Sequence, residues 1–270
     1  MLPFSRLSRV LLATLLVLSC NPDTPDYSPL VPHRAEYRLS LESARNGSMV
    51  TGVSGTMTYE LQNSCDGWIT QQVFDIRFLQ ADGEEISTRN EYNGWESKDA
   101  DLYRFNVRKA TNGEADEALA GSASPGRRHS MTARFTRPEA RQIDMEGDIL
   151  FPTQHTALLL EAAQKGEQLF TGKVFDGSDT AGETEISAWI SPPRTDPVVE
   201  TTSPLVSNRK YWPVRFAFFP ASSTQAVPDY EATTRVYDNG VWGNMVFDYG
   251  TFQVRATLEK LEQIRGPACP

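Results

Sequence analysis

Residues 33–41 read HRAEYRLSL, a stretch in which polar and apolar side chains alternate from one position to the next. Successive side chains of an extended chain point to opposite faces, so this alternation predicts a strand with one buried face. Asn46-Gly47 follows and favours a tight turn, because both residues accept positive φ. Apolar residues continue on one face from Val53 to Leu61, which predicts a second strand antiparallel to the first.

The same pattern returns along most of the chain. Further apolar stripes occur at Phe74, Ile76 and Phe78, at Tyr103, Phe105 and Val107, at Val214, Phe216 and Phe218, and at Phe252, Val254, Ala256 and Leu258. Turn sequences separate them at 81–84 (ADGE), 111–113 (TNG) and 238–240 (DNG). Many short strands with turns between them predict an all-β domain, built as an antiparallel barrel, a sandwich or a rolled sheet.

One segment is predicted to be the main helix. Residues 153–165 are rich in Leu and Ala, begin with Thr153, which can cap a helix, and precede Gly166, which can end one. We expect this helix to plug or cover the open end of a curved sheet. Residues 113–129 lack periodicity and residues 191–204 contain four prolines, so both are predicted to be loops.

The first residues have the features of an export signal. Residues 1–19 place two arginines before an apolar run that is too short to span a bilayer, and no later segment is long enough to do so. We expect cleavage before Cys20. The sequence VLSC at 17–20 also resembles the site at which bacterial lipoproteins are lipidated, so Cys20 is a candidate lipid anchor; the alternative is that it only follows the signal.

The segment after the signal is predicted to be a tether. Residues 20–32 are rich in proline, which cannot continue a helix or a central strand. Residues 33–270 then remain as a single folded domain. Length allows this, because all-β barrels and sandwiches often form one unit of about 250 residues.

Composition narrows the classes of function. The chain has 39% hydrophobic and 23% charged residues, which is typical of a globular protein. Acidic residues number 35 against 26 Lys and Arg, a formal net charge of -9. A basic field that would attract phosphate backbones is therefore missing, and we expect no nucleic-acid partner.

The cysteines predict one disulfide. The chain has three, at positions 20, 65 and 269. An exported chain reaches an oxidising compartment, where we expect Cys65 to pair with Cys269 while Cys20 carries the lipid. The alternative is a redox-active thiol, which is disfavoured because the chain has no CxxC and neither Cys65 nor Cys269 has a His nearby in sequence.

The sequence lacks the common motifs of catalysis, metal binding and nucleotide binding. The three histidines, His33, His129 and His155, are scattered, and HExxH, GxSxG, GxxxxGK[ST] and GxGxxG do not occur. The acidic stretch 176–179 (DGSD) lacks the alternating donors and distal Glu of a calcium loop and is interpreted as a turn. Acidic pairs such as Asp144 with Glu146 are expected by chance among so many acids. We predict no catalytic residue, no metal and no cofactor.

The aromatic residues allow two interpretations. Phe, Tyr and Trp make up 10% of the chain, and many of them lie at inward-facing strand positions. They can form a filled core, since each ring buries a large apolar area. They can also line a concave apolar cavity able to take an acyl chain. The sequence leaves both interpretations open.

Short motifs along the chain resemble those of one known family. In order, they are LVPHRA at 30–35, SCDGW at 64–68, FPTQHT at 151–156, VFDGS at 174–178, YWPV at 211–214, PDYE at 228–231, DNG at 238–240, DYG at 248–250 and Cys269. Together they resemble the EipB-like family of alphaproteobacterial cell-envelope integrity proteins, over nearly the whole chain that follows the signal.

This resemblance implies a periplasmic β-spiral, a long antiparallel sheet curled into a barrel-like shape and closed by a disulfide. The family's cysteine pair falls on Cys65 and Cys269. The family is linked to envelope integrity and is not known for an enzymatic reaction. It is soluble, so the lipobox-like Cys20 departs from its pattern. The curled sheet also looks like that of periplasmic lipoprotein carriers, which is a likeness of fold and not of function.

These observations predict a non-enzymatic periplasmic protein that supports the cell envelope by binding another envelope component, a protein or a lipid. A carrier for a lipid or lipoprotein acyl chain is the alternative, motivated by the aromatic stripes and the apolar helix. An interior cavity of several hundred Å³ would favour the carrier, and a filled interior would count against it.

Overall fold

The computed structural model describes residues 25–127, 129–195, 201–220 and 227–267, and within these ranges the chain forms fifteen strands and one helix. The first nine strands are β1 (His33–Ala44), β2 (Val50–Asn63), β3 (Gly67–Gln80), β4 (Glu85–Ser97), β5 (Tyr103–Thr111), β6 (Glu114–Pro125), β7 (Ser130–Arg137), β8 (Arg141–Glu146) and β9 (Ile149–Leu150). The helix α1 (Pro152–Lys165) precedes β10 (Leu169–Val174), β11 (Thr184–Ile190), β12 (Tyr211–Pro220), β13 (Tyr230–Tyr237), β14 (Trp242–Asp248) and β15 (Phe252–Gln263).

All fifteen strands belong to one sheet, and its two edge strands lie near each other. The strand order is β8-β7-β6-β5-β4-β3-β2-β1-β15-β14-β13-β12-β11-β10-β9. Neighbours pair antiparallel except β9 with β10, which pair parallel. The two edge strands, β8 and β9, are consecutive in the chain, and Lys173 Nζ on β10 donates a hydrogen bond to the Glu146 carbonyl at 3.3 Å. The sheet is therefore nearly closed into a barrel, which confirms the predicted all-β, curled architecture.

The helix covers one end of the curled sheet. Leu159, Leu160 and Ala163 of α1 pack in one cluster with Trp68 at the start of β3 and Trp212 at the start of β12. We call this the helix end. The opposite end, where β3 and β12 finish and β13 and β15 begin, is the far end. No helix in the described part of the chain is long and apolar enough to cross a membrane.

The helix begins earlier than the sequence predicted. Its N-cap is Phe151, with the extended angles φ -89° and ψ 161°, and Pro152 occupies the first helical position. Proline suits that position, because its missing N–H would have no partner inside the helix. Thr153, predicted as the cap, lies inside the first turn. Gly166 ends the helix in the left-handed conformation, as predicted.

One predicted loop is wrong. Within residues 113–129, the segment Glu114–Pro125 is β6, which pairs with β5 on one side and β7 on the other. Leu119 and Ala123 face inward and are almost fully buried. A strand held by two neighbouring ladders needs little hydrophobic alternation of its own, so small residues suffice and the periodic signal is weak.

The last residues before β1 lie against the sheet. Leu30 is buried in the cluster that contains α1, and the Val31 N–H donates to the Asn239 carbonyl at 3.0 Å. Tyr27 packs on Trp68 with ring centroids 6.1 Å apart. Residues 25–32, the described part of the segment predicted as a tether, therefore contribute to the core.

Candidate ligand site

The curled sheet and the first turn of α1 surround a cavity of about 400 Å³. Pockets that bind small molecules usually measure about 300 to 1,000 Å³. Residues from all three hydrophobic clusters border the cavity, for example Phe216, Met245 and Val107. The aromatic residues therefore have both of the roles that the sequence allowed. Some pack in the hydrophobic clusters, and some line the cavity.

Part of the cavity wall is apolar. Phe216 of β12 and Trp242 of β14 stack with centroids 4.9 Å apart and planes 6° from parallel, and Met57 of β2 lines the same cavity. These side chains face inward because alternate residues of a strand point to one face of the sheet. Rings and thioethers of this kind offer dispersion contacts to an apolar ligand and few hydrogen bonds.

A row of aromatic rings connects the cavity with the surface at the far end. Phe218 and Tyr230 line the cavity and stack with centroids 4.3 Å apart. Tyr230 then contacts Tyr249 at 5.7 Å, and Tyr249 contacts Phe252 at 5.1 Å. Tyr249 is 44% exposed. We call Phe218, Tyr230, Tyr249 and Phe252 the aromatic row, which runs from the cavity lining to the surface.

Other apolar side chains are exposed at the far end of the sheet. Met49 lies in the turn between β1 and β2, Leu79 is near the end of β3, and Val227 precedes β13. All three are at least 45% exposed. Exposed apolar side chains at this end favour contact with apolar ligands or with the surface that carries them.

A loop between β10 and β11 places a carboxyl group at the cavity. Gly177 has φ +71°, and a Cβ built there would lie 2.4 Å from the ring of Phe105, so only glycine allows the loop to pass so close. Tyr103 Oη donates to the Asp176 carbonyl at 3.3 Å, and the Ser178 N–H donates to Asp176 Oδ1 at 2.8 Å. Both Asp176 and Ser178 line the cavity.

The surroundings of Asp176 are poor in positive charge. Desolvation raises the pKa of its carboxyl above the usual range, and the hydrogen bonds from Ser178 oppose that rise. Asp176 is nevertheless an exposed residue by its accessible surface, and it lines the cavity. Burial, reinforced by the charge of Asp176, also raises the pKa of Tyr92 to about 12. Among the described residues that line the cavity, none is Lys or Arg.

A histidine lines the helix side of the cavity. His155 of α1 is 5% exposed and its ring lies 5.3 Å from that of Phe170. Burial lowers the pKa of the imidazole to about 4, so the ring is neutral near pH 7. Within the described residues its Nε2 has no hydrogen-bond partner. A buried polar atom without a partner costs free energy, so the position of this nitrogen is locally unfavourable.

A buried glutamate fixes the helix that carries this histidine. Glu96, at the end of β4, accepts hydrogen bonds from the backbone N–H groups of Thr153 and Gln154, each at 2.8 Å, and from Tyr27 Oη at 3.2 Å. These N–H groups have no partner inside the helix, so the carboxylate acts as a cap supplied by a distant strand. Burial raises the pKa of Glu96 to about 7, and the hydrogen bonds oppose that rise.

Comparison with known proteins assigns this architecture to a family. The family model described as EipB-like matches residues 25–265. The chain belongs to the EipB-like family. It is similar to the cell envelope integrity protein EipB of Brucella abortus (strain 2308), with 27% identity over 238 residues, which cover 86% of this chain and 84% of that protein.

This EipB-like protein is also similar to a protein of known crystal structure. The structure is that of a beta-barrel-like protein of the domain of unknown function DUF1849 from Brucella abortus, with a TM-score of 0.80 and 26% identity. The match covers 87% of this chain and 99% of that one. The family resemblance drawn from the sequence motifs is therefore confirmed, together with the fold that it implied.

The predicted disulfide falls partly outside the described residues of this EipB-like protein. Cys65 lies in the turn between β2 and β3, whereas Cys269 and Cys20 are outside the described ranges. The C-terminal segment runs toward Cys65, since the Ile264 N–H donates to the Pro32 carbonyl at 3.0 Å. Farther along, a Cβ built on Gly266 would lie 3.2 Å from the carbonyl oxygen of Asn63.

The remaining sequence candidates lie apart from the cavity or have structural partners. His33 is buried and its Nδ1 is 2.7 Å from the Val31 carbonyl, while His129 is exposed beside Asp148. Asp144 is exposed and accepts a hydrogen bond from Thr132. Among the described residues, three or more His, Cys, Asp or Glu side chains do not come together as a metal-ligand set.

Sequence reasoning missed two groups of this site. Asp176 was interpreted as part of a plain turn, although Gly177 beside it marks a place where the backbone approaches another group closely. Glu96 was not singled out at all. The signal was available in principle, because Glu96 continues the inward-facing positions of Tyr92 and Gly94, where a charged residue is unexpected.

Proposed function

We propose that this chain is an exported protein that supports the integrity of the cell envelope, and that it does so by binding another envelope component and not by catalysis. The likeness to the Brucella protein named for cell envelope integrity carries this proposal, because it extends over most of both chains. The export-type residues 1–19 and the lack of catalytic motifs in the sequence agree with it.

Deletion of the gene tests this role. In the bacterium that produces the protein, the deletion strain should become more sensitive to detergents and to cell-wall antibiotics than its parent. Full-length protein should restore resistance, and protein lacking residues 2–19 should not, because it would stay in the cytoplasm. Equal sensitivity of parent and deletion strain would contradict the proposed role.

A second function is the carriage of a lipid or lipoprotein acyl chain. The cavity of about 400 Å³ favours it, since a filled interior would have left no room for a ligand. The aromatic row supports it further, because it leads from the cavity to the exposed Tyr249. Purification from envelope extracts, followed by mass spectrometry of bound lipids, should recover an acyl compound at close to one molecule per chain.

A variant that fills the cavity makes this test specific. Ile186 of β11 lines the cavity, whereas Ser187 beside it faces outward and is hydrogen-bonded to Thr171. Ile186→Trp should reduce the recovered lipid strongly, and the control Ser187→Trp should not. Recovery of the same amount of lipid from both variants would mean that the lipid is bound elsewhere.

We also propose a periplasmic location, a disulfide between Cys65 and Cys269, and a lipid on Cys20. The position of Gly266 near Asn63 supports the disulfide, because Cys269 lies three positions after Gly266 and three steps of extended chain can span about 10 Å. The intact mass of the native protein tests the lipid. A mass that corresponds to an unmodified Cys20 would exclude the anchor.

A further inference from the structure

The lining of the cavity is amphiphilic. Phe216, Trp242 and Met57 are apolar, whereas Asp176, Gln72 and Asn93 are among the polar side chains that border the cavity. A cavity that offers both apolar surface and hydrogen-bonding groups is suited to an amphiphilic molecule, and the charges of its lining restrict which one.

We propose that the cavity binds a single acyl chain whose polar end is uncharged and carries hydroxyl or amide hydrogen-bond donors, and that it discriminates against the same chain ending in a carboxylate. This inference rests on the acyl-carrying function proposed above and specifies its ligand. Acylglycerols and acyl amides are compounds of the first kind. Free fatty acids are of the second kind.

The apolar chain fits the cavity for reasons of size and surface. A volume of about 400 Å³ is at the lower end of the range for small-molecule sites, which favours one chain over several. Phe216 and Trp242 present a flat stacked pair, and Met57 and Met245 can adapt to a flexible chain. Each methylene that leaves water for such a surface contributes about 0.8 kcal/mol.

The polar end belongs at Asp176. This residue lines the cavity together with Tyr230 of the aromatic row and with Tyr92. Ser178 N–H already donates to Oδ1, and a carboxylate can accept further hydrogen bonds. A ligand hydroxyl or amide N–H would supply them. The acyl chain would then lie against the apolar part of the lining, for example Phe216 and Met57.

A second carboxylate would be unfavourable at the same place. It would lie beside the carboxyl group of Asp176, and none of the described lining residues is a Lys or Arg that could compensate its charge. His155 does not help, since burial keeps its imidazole neutral near pH 7. The electrostatics of the cavity therefore oppose anionic head groups.

Three probes with the same twelve-carbon chain test the inference. Binding of monolaurin, methyl laurate and laurate to the purified, delipidated full mature protein would be measured at pH 7.5 by calorimetry, below their micelle concentrations. Monolaurin should bind at least about tenfold more tightly than laurate. Methyl laurate should lie between them, because it is uncharged but has no donor for Asp176.

Variants of Asp176 connect the selectivity to this residue. Asp176→Asn keeps an oxygen for the Ser178 N–H and removes the charge, so it should retain monolaurin binding and bring laurate closer to it. Asp176→Leu removes the acceptor and should weaken monolaurin about tenfold while leaving methyl laurate nearly unchanged. Thermal melting of each variant checks that it is folded.

The outcomes separate this inference from the function on which it rests. Equal affinity for laurate and monolaurin, or unchanged selectivity in Asp176→Asn, would overturn the inference and leave acyl binding standing. Failure of all three probes to bind would overturn both. Equal binding by the cavity-filling variant Ile186→Trp and by the control Ser187→Trp would also overturn both.

Discussion

The carboxylate of Glu96 at the end of β4 accepts a hydrogen bond from the backbone N–H of Thr153 in the first turn of α1, at 2.8 Å. A second bond joins Glu96 to the N–H of Gln154. Thr153 lies 57 positions after Glu96 in the chain. This bond ties the helix that covers the sheet to a strand in the first half of the protein, and it holds His155 against the cavity.

Replacing Glu96 should therefore destabilise the helix end. Glu96→Ala leaves two buried N–H groups without their acceptor, which we expect to lower the free energy of unfolding by about 2 to 4 kcal/mol. Urea unfolding followed by tryptophan fluorescence measures it. Asp144→Ala is a matched control, because Asp144 is an exposed carboxylate that also accepts hydrogen bonds. An equally small effect of both changes would contradict the capping role.

The pH dependence of Glu96 should be unusual for an acid. Its folded pKa of about 7 is above its ordinary value of 4.5, so between these values the folded chain holds a proton that the unfolded chain has released. Stability should then fall as the pH rises through this window, by on the order of 3 kcal/mol. Glu96→Gln should lack this contribution. Unfolding measured at pH 4.5 to 7.5 in both proteins tests it, and parallel curves would exclude it.

His155 should contribute a pH dependence of the opposite sign. Its folded pKa of about 4 is below the ordinary 6.5, so in this range the unfolded chain binds the proton more tightly. Stability should fall as the pH drops from 6.5 to 4, again by on the order of 3 kcal/mol. His155→Leu should remove this loss.

The changes in stability that Glu96 and His155 contribute have opposite signs, so they partly cancel in the wild-type protein between pH 4.5 and 6.5. The single variants should therefore unfold with slopes of opposite sign relative to the wild type, which is a sharper result than either change alone. Two further groups are shifted in the same directions. Burial lowers the pKa of His33, as it does for His155, and desolvation raises the pKa of Asp176, as it does for Glu96. Both remain present in the two variants, so the differences still report Glu96 and His155.

The fold could be predicted from the sequence because strand alternation is local. Tyr37 and Leu39, or Phe216 and Phe218, reveal which face is buried without knowledge of their neighbours. The segment Glu114–Pro125 could not, because its strand is held by ladders on both sides and its small side chains carry little pattern. The same holds for Glu96, whose role depends on a helix that begins 56 positions later in the chain.

The cavity was beyond sequence reasoning for a different reason. Inward-facing rings give the same alternation whether they touch one another across the barrel or stop short of doing so. The difference depends on the curvature of the sheet and on the loop that carries Asp176. Gly177 explains how that loop reaches inward, because a Cβ at this position would lie only 2.4 Å from the ring of Phe105.

Gly177 should therefore be intolerant of substitution. Gly177→Ala combines a strained φ of +71° with a clash against the ring of Phe105, and we expect a loss of stability of about 3 kcal/mol or more. Gly113→Ala is the matched control, because Gly113 has φ +84° and a Cβ there meets no atom within 4 Å. The control should lose only about 1 kcal/mol. Equal losses in urea unfolding would mean that the contact with Phe105 is unimportant.

The proposed disulfide should stabilise the protein through the unfolded state. A bond between Cys65 and Cys269 would close a loop of about 200 residues, for which chain entropy predicts roughly 5 kcal/mol, less any residual structure in the unfolded chain. Reducing agent should lower the melting temperature of the mature protein, and Cys65→Ser and Cys269→Ser should each lower it to the same value. Cys20→Ser is the control and should melt like the wild type. If the wild type melted identically with and without reductant, the bond would be absent. If Cys20→Ser were also destabilised, Cys20 would be one of its partners.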